Sequence, residues 1–185
     1  MVIFTVKGIS KDLLKEVLTL KNEKRGRIKE ILKSKVAKDL GVKYYEGKKP
    51  WGEKAYIALP CATQNEITLD DAKNLVKGGI KYVVEGANMP STNDAINHYF
   101  KNGIGYGPAK ASNAGGVATS GLEMSQNSLR LHWTREEVDK RLRTIMTTIH
   151  KDSRDAAEKY GKKGNYQFGA NAAGFIKVAD TMISE

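Results

Sequence analysis

Three short segments of the chain combine small residues with carboxamide and hydroxyl side chains, a mixture that can bind a ligand through directional hydrogen bonds. They span residues 60–65 (PCATQN), 85–90 (EGANMP) and 110–116 (KASNAGG), and each follows a predicted strand. Their hydrogen-bonding side chains are Thr63, Asn65, Asn88 and Asn113. Asn and Gly favour turns, so one such loop would be unremarkable. Ligands of open α/β sheets bind beyond the carboxyl ends of the strands, so three such loops predict a binding cleft.

The residue types of other catalytic centres are present without the spacing that they need. His98, His132 and His150 lack metal-ligand spacing, so no metal site is predicted. Cys61 has no readable base beside it, which favours a structural thiol over a nucleophile. The glycines of residues 103–107 (GIGYG) do not fit the dinucleotide fingerprint and precede no clear helix. The loops therefore predict ligand binding, and no residue of this chain is predicted to be catalytic.

The elements that position these loops can be predicted from the rest of the sequence. Short apolar runs alternate with longer helical stretches, which indicates an α/β protein. Strands are predicted at residues 2–6, 42–45, 56–59, 82–84 and 104–106. A helix is predicted at residues 10–20. Capping pairs predict three further helix starts, at Thr68 with Asp71, Ser91 with Asp94, and Thr134 with Glu137.

The last third of the chain is predicted to be helical. After Thr134, one apolar stripe consists of Val138, Leu142, Ile145, Met146 and Ile149. A second stripe consists of Ala172, Phe175, Ile176, Ala179, Met182 and Ile183. Residues 161–164 separate the two stripes. They predict two amphipathic helices whose apolar residues belong to a core.

Composition bounds the class of protein. The net charge is +10, and the densest basic run is at residues 21–38. Apolar residues at helical spacing and two interrupting glutamates predict an amphipathic helix with a solvated basic face. The run has no aromatic residue on which a base could stack, so nucleic acid is not a predicted partner. No apolar run approaches the roughly 20 residues of a membrane span. One cysteine and no export signal predict the cytoplasm.

The loop sequences resemble those of the small hexameric glutamate dehydrogenases. The resemblance runs through IALPCATQNEIT, VVEGANMPST, KASNAGGVATSGLEMSQNSLRLHWT and the tail QFGANAAGFIKVADTMISE, in the family order, from about residue 8 to residue 185. It implies the C-terminal portion of an oxidoreductase that interconverts glutamate with 2-oxoglutarate and ammonia using NADP or NAD. It also implies an incomplete, Rossmann-like doubly wound sheet in residues 1–133. Residues 134–185 would then be C-terminal helices leading to the substrate and oligomerisation domain of a hexamer.

The resemblance also implies roles for individual residues. Those that match the substrate site are Ser120, Val117 and Asn113, with the Ser120 hydroxyl on the distal carboxylate. Those that match the cofactor site are Ala62, Thr63, Gly86, Ala87, Asn88 and Asn113. Ser120 is also a predicted helix N-cap, because residues 121–128 have a helical pattern, and a helix N-terminus favours an anion. The segment 85–88 resembles the NADP-using members more than the others.

The family's catalytic lysine and aspartate have no counterpart in the sequence, and neither have the first strand and glycine-rich turn of the cofactor domain. The 185-residue chain by itself is therefore expected to be inactive and to bind NAD(P) weakly. A non-catalytic ligand-binding or assembly module derived from the enzyme stays open as an alternative. Without the first strand, residues 56–59 lack a neighbour. Residues 2–6 are expected to pair there, with association between copies as the other outcome.

Overall fold

The computed structural model describes residues 2–4 and 9–184, the first of these ranges by its backbone alone. The chain forms two compact units, Met1–Pro50 and Trp51–Glu185. No helix among the described residues is both long and apolar enough to cross a membrane.

The first unit is a small helical assembly with one strand pair. Helix α1 (Lys11–Leu18) begins at its N-cap Ser10, whose side chain accepts a hydrogen bond from the Leu13 backbone. Strand β1 (Val2–Phe4) pairs antiparallel with β2 (Lys43–Tyr45). A small core lies beneath these elements, formed by Leu13, Leu20, Ile31, Ala37 and Val42. The predicted helix at 10–20 and strand at 42–45 are thereby confirmed.

The basic run does not form the single amphipathic helix that its periodicity predicts. A π-helical turn (Thr19–Glu23), a 3-10 helix (Ile28–Lys33) and α2 (Lys35–Asp39) follow one another instead. The break lies at Arg25 and Gly26. Arg25 has φ +53°, a left-handed conformation that no continuous helix accommodates. The prediction was wrong because periodicity alone does not register such a turn.

The second unit is built on a parallel sheet of three strands, β3 (Ile57–Ala58), β4 (Tyr82–Val84) and β5 (Gly105–Gly107), in that order. Helices α3 (Leu69–Lys77) and α4 (Asn93–Lys101) follow β3 and β4 and share a core with the sheet. The largest fully buried side chains of that core are Tyr99, Ile67 and Val83. Strands alternating with helices confirm the α/β, Rossmann-like prediction.

The glycines of β5 bring the strand close to its neighbour. A Cβ at Gly105 would lie 2.5 Å from the Cδ1 of Tyr82, and one at Gly107 would lie 3.0 Å from a methyl of Val84. A side chain at Gly105 would force the Tyr82 ring to move, and one at Gly107 would require Val84 to shift by a few tenths of an ångström. A short helix begins at Ala109, directly after this strand, although the sequence predicted no clear helix there.

The sheet edge at β3 departs from two predictions. Residues 2–6 do not pair there, since Val2–Phe4 takes β2 as its partner, and Thr5 and Val6 lie outside the described residues. Within the described residues, β3 is paired on one side alone, with β4. The strand is also not buried as predicted, because Tyr56, Ile57 and Leu59 are all more than half exposed. These side chains are left exposed, since no second strand among the described residues pairs with this edge of β3.

Four helices complete the second unit: α5 (Ala109–Ser112), α6 (Ala114–Leu129), α7 (Arg135–Lys159) and α8 (Tyr166–Ser184). The capping box at Thr134 is confirmed, as is the one at Thr68. Helix α8 crosses α7 so closely that a Cβ at Gly169 would lie 1.9 Å from the Ser153 carbonyl oxygen. The second predicted apolar stripe is not core here, since Phe175, Met182 and Ile183 are largely exposed.

Candidate functional site

Loops 60–65 and 85–90 lie side by side at the carboxyl ends of β3 and β4. The backbone N–H groups of Gly86 and Ala87 both donate to the Pro60 carbonyl, at 2.9 and 3.0 Å. A Cβ at Gly86 would lie 2.5 Å from the Cys61 Sγ, so the close approach of the two loops requires glycine. The parallel arrangement of β3 and β4 places both loops at the same edge, as the sequence predicts.

The same two loops stay together further along the chain. The Asn65 N–H donates to the Met89 carbonyl and the Ile67 N–H to the Pro90 carbonyl, both at 2.9 Å. Asn65 and Met89 have positive φ, 53° and 47°, which the paired turns require. The Ala62 N–H is held by the Glu66 carboxylate at 3.1 Å. Ala62 and Thr63 are exposed on the outer side of this double loop.

The third loop joins the other two through a pair of carboxamides. The Asn113 Nδ2 donates to the Asn88 Oδ1 at 2.7 Å and lies 3.4 Å from the Ala87 carbonyl oxygen. Asn113 is half-buried, whereas Asn88 is exposed. The structure therefore brings the predicted cofactor residues Gly86, Ala87, Asn88 and Asn113 together.

Helix α6 carries the two other predicted substrate residues. Asn113 is its N-cap, and Val117 and Ser120 follow at spacings of four and three, so all three lie on one helix face. Both are exposed, Val117 by 73%. The N-cap prediction for Ser120 was wrong, because the helix starts at Ala114 and runs through Gly115 and Gly116. The Ser120 hydroxyl is hydrogen-bonded within the helix, to the Gly116 carbonyl at 3.4 Å.

A buried carboxylate behind the loops escaped the sequence analysis. Glu85 is 2% exposed, and its Oε1 accepts from the Ser91 N–H at 3.2 Å while Oε2 accepts from the Ala109 N–H at 3.0 Å. The predicted N-cap role of Ser91 was wrong for this reason. Ser91 is buried beside Glu85, and Thr92 caps α4 instead. An acidic residue directly after the strand YVV was the available signal, but by itself it also fits an ordinary loop residue.

Two tyrosines share this buried region and titrate abnormally. Burial raises the pKa of Tyr99 to about 12, and the negative charge of Glu85 adds to the rise. Burial likewise raises the pKa of Tyr106 well above its ordinary value, with Glu85 again contributing through its charge and hydrogen bonding. Both hydroxyls therefore stay protonated at neutral pH and act as neutral neighbours of the carboxylate.

A separate cavity of about 350 Å³ lies between the sheet and helices α7 and α8. Its walls include Tyr82, Val84, Met146, Ile149 and Tyr166, and none of the predicted site residues lines it. Within the described part of the chain, no cluster of His, Cys, Asp or Glu could hold a metal ion. The carboxamide cluster at the sheet edge remains the site with ligand-binding chemistry that the sequence predicts.

The chain is similar over nearly its whole length to known dehydrogenases. It is 58% identical to an NADP-specific glutamate dehydrogenase from Giardia intestinalis, over 96% of this chain and 39% of the relative. It is 50% identical to an NAD-specific glutamate dehydrogenase from Clostridium symbiosum, over 80% of this chain and 33% of the relative. The crystal structure of Plasmodium falciparum glutamate dehydrogenase matches with a TM-score of 0.91 and 50% identity, covering 98% of this chain and 38% of that chain.

The chain thus spans about two fifths of the length of the relatives that it matches. The family model for glutamate/leucine/phenylalanine/valine dehydrogenases matches residues 2–185. Identity of this level over most of the chain agrees with the resemblance seen in the sequence. The chain belongs to the glutamate/leucine/phenylalanine/valine dehydrogenase family.

Proposed function

We propose that this chain supplies the nicotinamide side of the cofactor site, and part of the glutamate site, of an NAD(P)-dependent glutamate dehydrogenase. The observation that carries the proposal is the meeting of the three loops at one sheet edge, where the Asn113 and Asn88 carboxamides lie 2.7 Å apart. The relatives from Giardia intestinalis and Clostridium symbiosum, both named glutamate dehydrogenases, support the choice of substrate.

The site residues fit such a cofactor. Exposed backbone and small side chains let a flat ring approach, and two carboxamides offer both donors and acceptors for its amide and ribose groups. The proposed cofactor-binding residues are Ala62, Thr63, Gly86, Ala87, Asn88 and Asn113. When bound, NAD(P) accepts a hydride from the α-carbon of glutamate. Along the same face of α6, Val117 contacts the substrate's aliphatic chain and the Ser120 hydroxyl donates to its distal carboxylate.

The proposal extends to the whole enzyme. Residues 1–133 belong to the cofactor domain, and residues 134–185 lead to a substrate and oligomerisation domain in a cytoplasmic homohexamer. NADP is the proposed cofactor over NAD, supported by the likeness of residues 85–88 to NADP-using members and by the NADP-specific relative from Giardia intestinalis. Glutamate, 2-oxoglutarate and ammonia are the proposed substrates and products.

Reduction of the cofactor, followed at 340 nm, tests the proposed function. The complete reading frame that encodes this chain should, once purified, reduce NADP in the presence of glutamate, and NAD more slowly. Asn113→Ala should raise the Kd for the cofactor about 10-fold, because it removes hydrogen bonds at the nicotinamide side. The exposed Asn127→Ala, on the same helix and away from the loops, is the control. Cofactor binding without turnover of glutamate would favour the alternative of a non-catalytic binding module.

A further inference from the structure

Glu85 lies at the junction of the three site loops but does not reach their surface. It is the first residue after β4, its side chain is buried, and its backbone N–H donates to the Gly107 carbonyl of β5 at 3.0 Å. A buried carboxylate needs hydrogen-bond donors to offset the loss of water. Here the donors include two backbone amides, those of Ser91 and Ala109, at 3.2 and 3.0 Å, and the Tyr106 hydroxyl.

Each of the two bonds from backbone amides fixes one of the two segments that carry the carboxamides. The bond from Ser91 closes the loop of residues 85–91, within which Asn88 lies. The bond from Ala109 holds the first residue of α5, the short helix that ends immediately before Asn113. The other end of α5 is held too, because the Ser112 hydroxyl donates to the Glu85 backbone carbonyl at 2.5 Å. Glu85 therefore holds both ends of α5.

We propose that Glu85 is a positioning residue of the cofactor site, which sets the distance between the Asn88 and Asn113 carboxamides by clamping loop 85–91 to helix α5. The proposal rests on the proposed function, because it assigns Glu85 a role through those two asparagines. Bonds from amides to a charged acceptor are stronger than bonds between neutral groups, and they hold a geometry accordingly well. A glutamine at this position would offer one oxygen to two amides and would set an NH2 group against one of them.

The alternative is that Glu85 stabilises the unit as a whole without acting through the carboxamides. The two roles differ in how mutations combine. A residue that acts through Asn113 loses its effect on cofactor binding once Asn113 is removed, whereas independent contributions multiply. A double-mutant cycle on the Kd for the cofactor therefore separates them.

The experiment uses the complete enzyme with Glu85→Gln, Asn113→Ala and the double variant, and measures the Kd for NADP by calorimetry. Each single change should raise the Kd about 10-fold, a loss comparable to one or two hydrogen bonds. The double variant should bind no more than about 2-fold more weakly than the weaker single variant. A double variant that is about 100-fold weaker, the product of the two, overturns the proposal. So does a folded Glu85→Gln enzyme with unchanged affinity.

The proposed function can fail separately. If Asn113→Ala leaves the Kd unchanged, the assignment of the carboxamides to the cofactor is what fails, and the role of Glu85 falls with it. If Asn113→Ala weakens binding while the effect of Glu85→Gln multiplies with it, the function stands and the positioning role does not.

A milder variant covers the case in which Glu85→Gln does not fold. Ser112→Ala removes the hydroxyl bond to the Glu85 backbone, together with the contacts of that hydroxyl with the Pro108 and Gly107 carbonyls, and leaves the carboxylate in place. The same cycle with Asn113→Ala should again be non-multiplicative. Ser125→Ala is the matched control, since that hydroxyl bonds to the Gly121 carbonyl on the exposed surface of α6 and touches no site loop. Unchanged affinity in Ser112→Ala would overturn the clamp.

Discussion

At the scale of single residues, Ser120 illustrates how a helix presents the hydroxyl that we propose binds the substrate. It is the seventh residue of α6, two turns beyond its N-cap, and its hydroxyl bonds to the carbonyl one turn earlier. That bond is long, at 3.4 Å, and the side chain is exposed, so the hydroxyl is free to exchange it for a stronger partner. The charge preference of a helix N-terminus, which falls off within the first turn, does not reach it.

We expect Ser120→Ala in the complete enzyme to raise the KM for glutamate and leave the Kd for the cofactor nearly unchanged. A hydrogen bond to a charged group contributes roughly 1.5–3 kcal/mol, which corresponds to about a 10- to 150-fold change. Thr119→Ala is the matched control, because the Thr119 hydroxyl also bonds one turn back, to the Gly115 carbonyl at 2.9 Å. Initial rates at varied glutamate would contradict the assignment if the two variants had the same KM.

At the scale of elements, the helix starts that the sequence predicts correctly are those that depend on contacts between neighbouring residues. The capping boxes at Thr68 and Thr134 lie where the sequence placed them, because each is a closed exchange of bonds over three residues. The capping pair predicted at Ser91 has the same spacing, but Ser91 is not the N-cap of α4. The buried carboxylate of Glu85, six residues earlier, accepts a hydrogen bond from the Ser91 backbone N–H. Residue spacing alone does not predict that Glu85 competes for this N–H. The predicted start of α6 was wrong because Gly115 and Gly116 have low helix propensity, and tertiary packing overrides that propensity here.

The close crossing of α7 and α8 gives a prediction about stability. Gly169→Ala places a methyl against the Ser153 carbonyl, 1.9 Å away before relaxation, so the helices must separate. We expect a loss of about 1–3 kcal/mol in the free energy of unfolding, measured by urea denaturation. Gly174→Ala, in the same helix with nothing within 4 Å, should instead gain roughly 0.5–1 kcal/mol. Equal effects of the two substitutions would contradict the tight crossing.

At the scale of the whole molecule, the buried tyrosines predict how stability changes with pH. The pKa of Tyr99 is about 12 in the folded chain, against 10.0 for an ordinary tyrosine. Above pH 10 the unfolded chain loses this proton and the folded chain keeps it, so ionisation favours unfolding. The contribution of Tyr99 to stability should therefore be constant below about pH 10 and fall as the pH rises towards 12, by about 2–3 kcal/mol.

Urea denaturation at pH 8 to 11.5 measures this effect. In Tyr99→Phe the alkaline loss should be smaller than in the parent chain, although Tyr106, whose pKa is also raised, keeps part of it. Tyr160→Phe, at a half-exposed position, is the control for removal of a tyrosine hydroxyl. An alkaline loss that is identical in all three chains would remove Tyr99 from the explanation.

The exposed edge at β3 predicts association between copies of the 185-residue chain. Unpaired strand edges with apolar side chains recruit other strands, and Ile57 is 51% exposed on this edge. Ile57→Lys should weaken concentration-dependent association in sedimentation velocity, since a charge on an edge strand opposes pairing. Ile183→Lys, at the exposed end of α8, tests the competing apolar surface. If that variant alone stays monomeric, the helix and not the strand is the contact.

The residues of the candidate site that lie on the three loops could be predicted from the sequence. Asn88, Asn113 and Gly86 can be recognised from their residue types and from their positions after predicted strands. A parallel sheet brings such positions together at one edge. Their mutual distance was not predictable, because it depends on Glu85 and on bonds that join residues 24 to 27 positions apart. The pairing of Val2–Phe4 with β2 was unpredictable for the same reason, since a separation of 39–43 residues carries no periodic signal.

The close contact between Gly169 and Ser153 would act as a fulcrum if α7 pivoted against α8. Along α7, Arg135 lies about 27 Å from Ser153 at 1.5 Å per residue. A swing of about 6° about the fulcrum moves that far end by roughly 2.8 Å, the width of a water molecule. At the fulcrum the same swing hardly changes any distance. The bond from Lys110 to Asn171, 2.6 Å long and two residues from Gly169, stays within the stationary part of the lever. A Cβ at Gly115 would lie 3.5 Å from Leu142 and from Met146 of α7, so such a swing would also reach the loop that carries Asn113.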